Sequence, residues 1–320
     1  MKPFLLKPAI KDYIWGGTRL REEFGKESDL DRLAESWELS CHPDGEGFIA
    51  SGELEGMSFA KFVQEHPEAL GEKCTQFDTF PVLIKLIDAR GNLSVQVHPD
   101  NDYARKYEND NGKTEMWYIV DCEEGAELIY GFKDKLTKEQ FRAAIADNTL
   151  LEYVNRVPVK RGDVFFIKPG TLHAIGKGIL IAEIQQSSNV TYRVYDYGRL
   201  GADGKPRELH VEKAIEVTSL DPSPEQQTNG AENIGGSVSV QKLASCEYFD
   251  VEKYEIGGGE LRLENRADSF RHILVIDGEC EVFCGGEQVL TAKKGSGVFV
   301  PAGTDNCCIK GNCTIIITVV

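Results

Sequence analysis

The segment Gly162-Asp-Val-Phe-Phe-Ile-Lys-Pro-Gly-Thr-Leu-His-Ala174 joins an apolar run, a Pro-Gly turn and a histidine. The run from Val164 to Ile167 is bounded by turn residues, which predicts a buried β-strand. A similar segment, Gly295-Ser-Gly-Val-Phe-Val-Pro-Ala-Gly-Thr304, lies near the C-terminus. The sequence therefore predicts two copies of one antiparallel β unit.

A second pair of matching segments locates an insert in the first copy. Trp117-Tyr-Ile-Val-Asp121 resembles Ile273-Leu-Val-Ile-Asp277. These segments are 156 residues apart, whereas Gly170 and Gly303 are 133 apart, so the first copy holds 23 extra residues. Helical spacing after Thr137, and a second short helical pattern from Leu150, predict a helical insert at about 133–155.

The chain has room for two domains, since it has 320 residues. Residues 221–236 are rich in Pro, Ser, Asn, Gln and Gly, which is typical of a linker. We therefore expect a first domain at 1–230, containing the insert, and a second at 237–320.

Composition restricts the partners and the compartment. With 36 basic and 52 acidic residues the net charge is −16, which argues against nucleic acid or an anionic membrane surface as a partner. No apolar segment is long enough to span a membrane. The nine cysteines are odd in number and form no Cys-x-x-Cys pair, so the sequence predicts free thiols in a reducing cytoplasm.

Four side chains have the chemistry of one metal site. Gln96 and His98 are two residues apart and would lie on the same face of a strand. Glu115 and His173 follow later in the first copy. Two imidazoles, a carboxylate and an amide oxygen suit a divalent ion such as zinc, although a single histidine on a strand is more often a hydrogen-bonded core residue.

The second copy lacks these donors. In the matched segments Glu115 corresponds to Arg271, and His173 corresponds to Asn306. If His173 were only a packing residue, nothing would connect its loss with the loss of Glu115. The difference supports a metal site in the first copy and a structural role for the second.

The pattern Gly-Asp-x-x-x-Ile-x-Pro-Gly-x-x-His resembles the second motif of the cupin jelly roll. Together with Gln96-Val-His-Pro-Asp100 and Lys113-Thr-Glu115, it resembles the short bacterial form of the type I mannose-6-phosphate isomerases over most of the first 215 residues. The resemblance implies a mainly β fold of two cupin-like jelly-roll (double-stranded β-helix) units. It also implies that the C-terminal unit is a degenerate cupin without metal ligands.

The resemblance assigns roles to particular residues. It implies one zinc ion per chain, bound by Gln96, His98, Glu115 and His173. It implies a catalytic role for Arg193, with Lys113 and Glu183 as polar residues of the same pocket. It places Ser94, Lys85 and Arg199 at the substrate phosphate. At Arg199 the sequence departs from longer members, which have a lysine in a Thr-Pro-Lys motif.

The implied reaction is the reversible isomerisation of mannose 6-phosphate and fructose 6-phosphate through an enediol(ate), in which zinc is the Lewis acid. Three candidates for the base stay open: Glu183 with a pKa raised by burial, Lys113, or a metal-bound water. Glu183 could instead form an ion pair with Arg193 or Lys113. Lys85 could instead extend from an apolar strand towards water.

Other functions remain open at this point. A metal-dependent cupin could act on another sugar phosphate, or an iron cupin oxygenase could use two histidines and a carboxylate, although Gln96 weakens that reading. A non-catalytic sugar-binding or regulatory cupin would need neither Arg193 nor Lys113. The expected partner is a small sugar phosphate, with the chain as a monomer or homodimer.

Overall fold

The structure is a computed structural model that describes residues 1–201, 204–223 and 230–320. Before the gap at 224–229 in the described residues, the strands are β1 (Phe4–Lys7), β2 (Ala9–Lys11), β3 (Glu35–Leu39), β4 (Phe48–Ile49), β5 (Val82–Ala89), β6 (Val95–Val97), β7 (Glu115–Cys122), β8 (Glu127–Phe132), β9 (Val154–Pro158), β10 (Val164–Ile167), β11 (His173–Ala174), β12 (Ile179–Gln186) and β13 (Tyr192–Tyr195). After that gap come β14 (Glu232–Gly235), β15 (Val238–Ser245), β16 (Asp250–Leu263), β17 (Arg271–Cys284), β18 (Glu287–Lys293), β19 (Gly297–Val300) and β20 (Cys307–Val319).

The helices are few and short. They are α1 (Arg19–Glu22), α2 (Phe59–Glu65), α3 (Asn101–Tyr107), α4 (Lys138–Ala146), α5 (Leu150–Tyr153) and α6 (Val211–Val217), with 3-10 turns at Pro67–Leu70 and Glu72–Gln76. Within the described ranges, no helix is both long and apolar enough to cross a membrane. The prediction of a mainly β fold with helical inserts is confirmed.

Two sheets of the first unit face each other as a jelly roll. Sheet A has the strand order β10-β7-β12-β5-β3-β2, and sheet B has the order β13-β6-β11-β8-β9. An apolar core that includes Trp117, Ile181 and Leu128 fills the space between them. Helices α4, α5 and α6 cover the outer face of sheet B, where Phe141 and Leu150 share a buried apolar cluster with Val97.

The predicted insert is confirmed by the comparison of the two units. In the first unit, α4 and α5 separate the paired strands β8 and β9. In the second unit, the two-residue turn Gly285-Gly286 joins the paired strands β17 and β18. Thr137 and Gln140 form a capping box at the start of α4, which explains why the sequence signalled this helix clearly.

The second unit is built on sheet C, whose strand order is β14-β15-β16-β20-β17-β19-β1-β4. Strand β18 also pairs with β17, outside this order. Strand β1 pairs with β19, Phe4 opposite Phe299, so the N-terminus of the chain lies in the C-terminal sheet. Strand β14 falls inside the segment expected to be a linker, of which residues 224–229 lie outside the described residues. The division into domains at 1–230 and 237–320 therefore stays a prediction, and β1 crosses it.

Two further expectations need correction. Cys284 and Cys307 form a disulfide between the paired strands β17 and β20, so the thiols are not all free. The register also shows that Cys307 lies opposite Leu263 as His173 lies opposite Gln96. The strand position of His173 is thus taken by Cys307 and not by Asn306, because the sequence match was displaced by one residue.

Phe4→Ala is expected to lower the free energy of unfolding by about 3–5 kcal/mol, because Phe4 is buried against Phe62 and Phe299. Phe48→Ala in the neighbouring strand β4 is the matched control. Phe48 is exposed, and its loss should change stability by no more than about 0.5 kcal/mol. Urea denaturation of the three proteins measures both values, and equal losses would contradict a stabilising role for β1 in sheet C.

Candidate active site

Three buried side chains converge at one end of the jelly roll. His98 follows β6, Glu115 begins β7 and His173 begins β11, and all three are almost fully buried. Nε2 of His98 lies 3.1 Å from Nε2 of His173. The Glu115 carboxylate oxygens lie 3.3 Å from His173 Nε2 and 3.8 Å from His98 Nε2.

Both imidazoles present a lone pair to this point. Nδ1 of His98 donates to the carbonyl of Val190 at 2.7 Å, and Nδ1 of His173 donates to the carbonyl of Thr171 at 2.8 Å. A ring nitrogen facing a carbonyl must carry the proton, so each Nε2 is an acceptor. Burial lowers the pKa of His173 to about 4 and holds the pKa of His98 well below its usual value, so both rings stay neutral.

Glu115 brings negative charge to the same point. Burial raises the pKa of this carboxyl group to about 7, against the opposing effect of the positive charge on Lys113. Lys113 Nζ lies 3.1 Å from one carboxylate oxygen, yet neither oxygen accepts a well-aligned hydrogen bond from any described residue. Buried acceptors without donors are unfavourable unless a cation or a donor joins them.

Gln96 extends this group to the four predicted ligands. It lies on β6 directly opposite His173, and its side-chain amide nitrogen is 3.5 Å from His173 Nε2. Rotation of the amide would place its oxygen there instead. Tetrahedral ligands at about 2.0–2.1 Å from zinc lie about 3.3 Å from one another, which matches these separations. The four residues fit a divalent cation, and His98, Glu115 and His173 form the one cluster of His, Cys or acidic side chains of this kind in the described chain.

A polar cavity of about 300 Å³ opens beside the four residues. Gln96 belongs to both the cavity wall and the cation site, and Lys113 lies on the wall beside Glu115, whereas His98, Glu115 and His173 lie behind the wall. Sequence reasoning placed six of the cavity's residues in the site: Ser94, Lys85, Gln96, Lys113, Glu183 and Arg193. The cavity is therefore the space in which a substrate would reach the cation.

Glu183 and Lys85 form a buried ion pair on neighbouring strands of sheet A, with 3.2 Å between Lys85 Nζ and the carboxylate. Trp117 Nε1 donates to the other Glu183 oxygen at 2.9 Å. Burial favours a raised pKa, but Lys85 and Lys113 outweigh it and hold the pKa of Glu183 below its usual value. The expected raised pKa of Glu183 is thus wrong, and its ion-pair partner is Lys85 rather than Arg193 or Lys113.

Lys85 is not a lysine that extends to water. Its ammonium group is buried, lies 3.8 Å from Glu35 as well as close to Glu183, and stands 5.0 Å from the ring centre of Trp37. Burial alone would lower its pKa, but Glu35 and Glu183 raise the pKa of Lys85 above the usual value. Lys85 is therefore a fixed positive charge at the cavity wall.

Arg193 lies opposite Gln96 on the paired strands β13 and β6, which brings its guanidinium to the cavity. One NH₂ group donates to the carbonyl of Glu208 at 3.0 Å, whereas its Nε is buried without an acceptor among the described residues. Burial, followed by the charge of Arg207, lowers the pKa of Arg193. A guanidinium nevertheless keeps its proton in proteins.

Arg207, and not the predicted Arg199, lies at the cavity wall. Arg199 donates to Asp196 and to the carbonyl of Asn92, and it is not part of the cavity wall. Arg207 does line the cavity, and two of its nitrogens donate to Asp196 at 2.7 and 2.6 Å. Sequence reasoning missed Arg207 because it lies in irregular chain after β13, whose path no periodic pattern specifies.

Two family models and several curated proteins match this chain. The family model described as phosphomannose isomerase type I, catalytic domain, matches residues 4–132, and that described as mannose-6-phosphate isomerase, cupin domain, matches residues 239–320. Mannose-6-phosphate isomerase ManA of Bacillus subtilis is 39% identical over 318 residues, which are 99% of this chain and 98% of that protein. The mannose-6-phosphate isomerase of Streptococcus mutans is 38% identical over 94% of this chain and 92% of its own length.

A solved structure extends the similarity to the whole fold. The crystal structure of the mannose 6-phosphate isomerase from Bacillus subtilis superposes with a TM-score of 0.93 and 36% identity, and the match covers 100% of both chains. The cupin architecture expected from the sequence is therefore shared along the entire chain.

His173→Ala is expected to abolish binding of a divalent cation at this site, because it removes one of two neutral imidazole donors. Calorimetric titration of the metal-free protein with zinc measures the loss. His42→Ala is the matched control, since His42 lies near Asp44 and Asp110 and not in the cluster. Zinc binding that survives His173→Ala unchanged would remove His173 from the ligand set.

Proposed function

This chain belongs to the type I phosphomannose isomerase family, and we propose that it interconverts mannose 6-phosphate and fructose 6-phosphate with one zinc ion per chain. The proposed zinc ligands are Gln96, His98, Glu115 and His173. One observation carries the proposal: four acceptor groups converge at the wall of a cavity that also presents Lys85, Lys113, Arg193 and Arg207. The site thus combines cation ligands with positive charge for an anionic substrate.

The reaction moves one proton between C1 and C2 of the sugar while a carbonyl and a hydroxyl exchange places. Its barrier comes from the weak acidity of the carbon beside the carbonyl and from negative charge that develops on oxygen. Bound zinc would supply Lewis acidity that polarises the carbonyl group. The protein groups around the cavity must stabilise the remaining charge and carry the proton.

Arg193 is proposed to stabilise the developing oxyanion. Its guanidinium is fixed by the strand pairing of β13 with β6 and by its hydrogen bond to Glu208. Because it is already positioned and charged, it needs no reorganisation when charge develops on the substrate. Its guanidinium lines the cavity, where the N–H groups not used by Glu208 can donate to the substrate.

Lys113 and Glu183 are the proposed groups for proton transfer, and both lie at the cavity wall. Glu183 is charged near neutral pH because the lysines hold its pKa low, so it can accept a proton. Lys113 lies 3.4 Å from His98 Nε2 and can donate a proton to a substrate oxygen near the cation. Which of them acts on carbon stays open.

The substrate phosphate is proposed to lie at the wall formed by Ser94, Lys85 and Arg207, with Arg199 acting through Asp196. The charge of Lys85 is already matched by Glu35 and Glu183, so Arg207 is the stronger candidate for a direct contact. Binding energy from the phosphate would position C1 and C2 at the reactive end of the cavity. Location in the cytoplasm and assembly as a monomer or homodimer stay predictions.

The proposal is tested by measuring formation of fructose 6-phosphate from mannose 6-phosphate with purified protein. Activity that a chelator removes and zinc restores would support both the reaction and the metal. A zinc-loaded protein without turnover would contradict the proposed reaction while leaving the cation site intact.

Arg193→Ala is expected to lower kcat in this assay by about 10²–10³-fold, as for the loss of one preorganised oxyanion donor. Zinc content should stay unchanged, because Arg193 is not a ligand. Arg193→Lys keeps the charge but loses the planar fork, so it should recover only part of the activity. Normal turnover in Arg193→Ala would exclude Arg193 from the mechanism.

Arg207→Gln is expected to raise KM for mannose 6-phosphate by roughly 10- to 100-fold, the effect of losing a hydrogen bond to a charged group. Arg199→Gln is the matched comparison and should have a smaller effect, since Arg199 reaches the cavity only through Asp196. Steady-state kinetics of both variants measures the difference. A larger effect from Arg199→Gln would reverse the assignment.

A further inference from the structure

The second unit retains a counterpart of the active-site cavity. Glu115 lies opposite Ile167, and Arg271 occupies the same register opposite Val300. Likewise, Glu183 pairs with Lys85 in sheet A, and Ile317 pairs with Glu252 in sheet C. The strand pairing therefore identifies equivalent positions in the two units, whatever side chains they carry.

The chemistry at these equivalent positions is inverted. Arg271 stands where the first unit has Glu115, and Glu252 stands where it has Lys85. The positions of Gln96 and His173 are taken by Leu263 and Cys307, which offer no oxygen or imidazole ligand. The second site thus has a hydrogen-bond donor, Arg271, at the central position where the first site has the acceptor Glu115.

A cavity of about 390 Å³ remains at this place, walled by Arg271, Glu252, Tyr254, Arg266 and apolar residues that include Leu263 and Ile317. It is comparable in size to the cavity of the first unit. Such a volume lies at the lower end of the range for small-molecule sites.

Arg271 is half-buried and has no carboxylate within ion-pair distance in the described chain. Its guanidinium donates a hydrogen bond to the carbonyl of Glu264, at 2.8 Å. The nearby Arg266 has its own carboxylate in Asp268, at 2.8 Å. Burial, followed by the charge of Arg266, lowers the pKa of Arg271 against the opposing effects of Tyr254, Asp268 and Glu264.

The carboxylates of the cavity are suited to hydroxyl groups rather than to a metal. Glu252 accepts a hydrogen bond from Tyr254 at 2.6 Å, Asp250 lies 3.9 Å from Lys242, and Glu264 is exposed at the rim. These groups would weaken the binding of a bare anion, whereas a polyol could donate hydroxyl hydrogens to them. The apolar floor would accommodate carbon atoms of the same molecule.

We propose that this second cavity binds a small phosphorylated sugar or polyol, with the phosphate at Arg271 and hydroxyl groups at Glu252 and Tyr254. The site is separate from the proposed active site and lies on sheet C. The proposed ligand class follows from two features of this cavity of about 390 Å³. The guanidinium of Arg271 has no ion-pair partner among the described residues, and the carboxylate of Glu252 beside it can accept hydrogen bonds from hydroxyl groups.

The test is calorimetric titration of the zinc-loaded protein with glucose 6-phosphate and, separately, with inorganic phosphate. Arg271→Gln is expected to bind one equivalent of glucose 6-phosphate fewer than the unmodified protein. This difference holds whether or not the active site also binds the probe. Arg262→Gln is the matched control at the rim, because Arg262 is exposed and paired with Glu260, and it should keep the full stoichiometry.

Glu252→Gln gives an independent test in the opposite direction. It removes one negative charge but keeps an acceptor for Tyr254, so inorganic phosphate should bind several-fold more tightly. Isomerase turnover should be unchanged in both variants, since neither residue lies in the active-site cavity. Equal stoichiometry in Arg271→Gln and the unmodified protein, or weaker phosphate binding in Glu252→Gln, would overturn the proposal.

If Arg271→Gln fails to fold, Arg271→Lys replaces it, because lysine keeps the charge but loses the planar fork. This variant should bind glucose 6-phosphate roughly tenfold more weakly with the same stoichiometry. Unchanged affinity in Arg271→Lys, together with no gain in Glu252→Gln, would also overturn the proposal.

Discussion

The active site depends on keeping the Glu115 carboxylate in a place that water does not reach. Burying an isolated ion costs several kcal/mol even after the protein relaxes. The chain compensates with Lys113 at 3.1 Å and with the buried Lys85 further along the wall. The compensation is incomplete, because two lysines face three carboxylates, those of Glu35, Glu115 and Glu183. A divalent cation would compensate the remaining carboxylate and, together with Arg193, would leave positive charge for an anionic substrate.

Strand alternation explains how such a charged cluster can lie inside an apolar sheet. On β7 and β12 the residues that face sheet B are Glu115, Trp117, Ile181 and Glu183, and the residues between them face away. The charged positions all lie towards one end of these strands, while the apolar ones fill the middle of the jelly roll. The core can therefore be dry where it supports the fold and polar where it meets the substrate.

The parts of this site that follow from local sequence patterns could be predicted from the sequence. Gln96 and His98 share a face because they are two residues apart on one strand, and Pro169-Gly170 marks the turn that leads to His173. The parts that depend on tertiary contacts could not be predicted from the sequence. The low pKa of Glu183 requires Lys85 across the strand pair, and the place of Arg207 requires its contact with Asp196. Helices α3 and α6 were also missed, since α3 buries only Ala104 and α6 has no capping side chain at His210.

The second unit contributes to the site although it carries none of the proposed cation ligands. The face of sheet A that points away from the cavity presents Ile84, Leu86 and Met116, and these belong to one buried apolar cluster with Leu274 and Phe299 of the second unit. Without that cover, the strands that hold Glu115 and Glu183 would expose an apolar face to water. Strand β1 reinforces the arrangement, because the N-terminal residues of the first unit complete the sheet of the second. Loss of the second unit would therefore disturb the strands of the active site as well as the remainder of the fold.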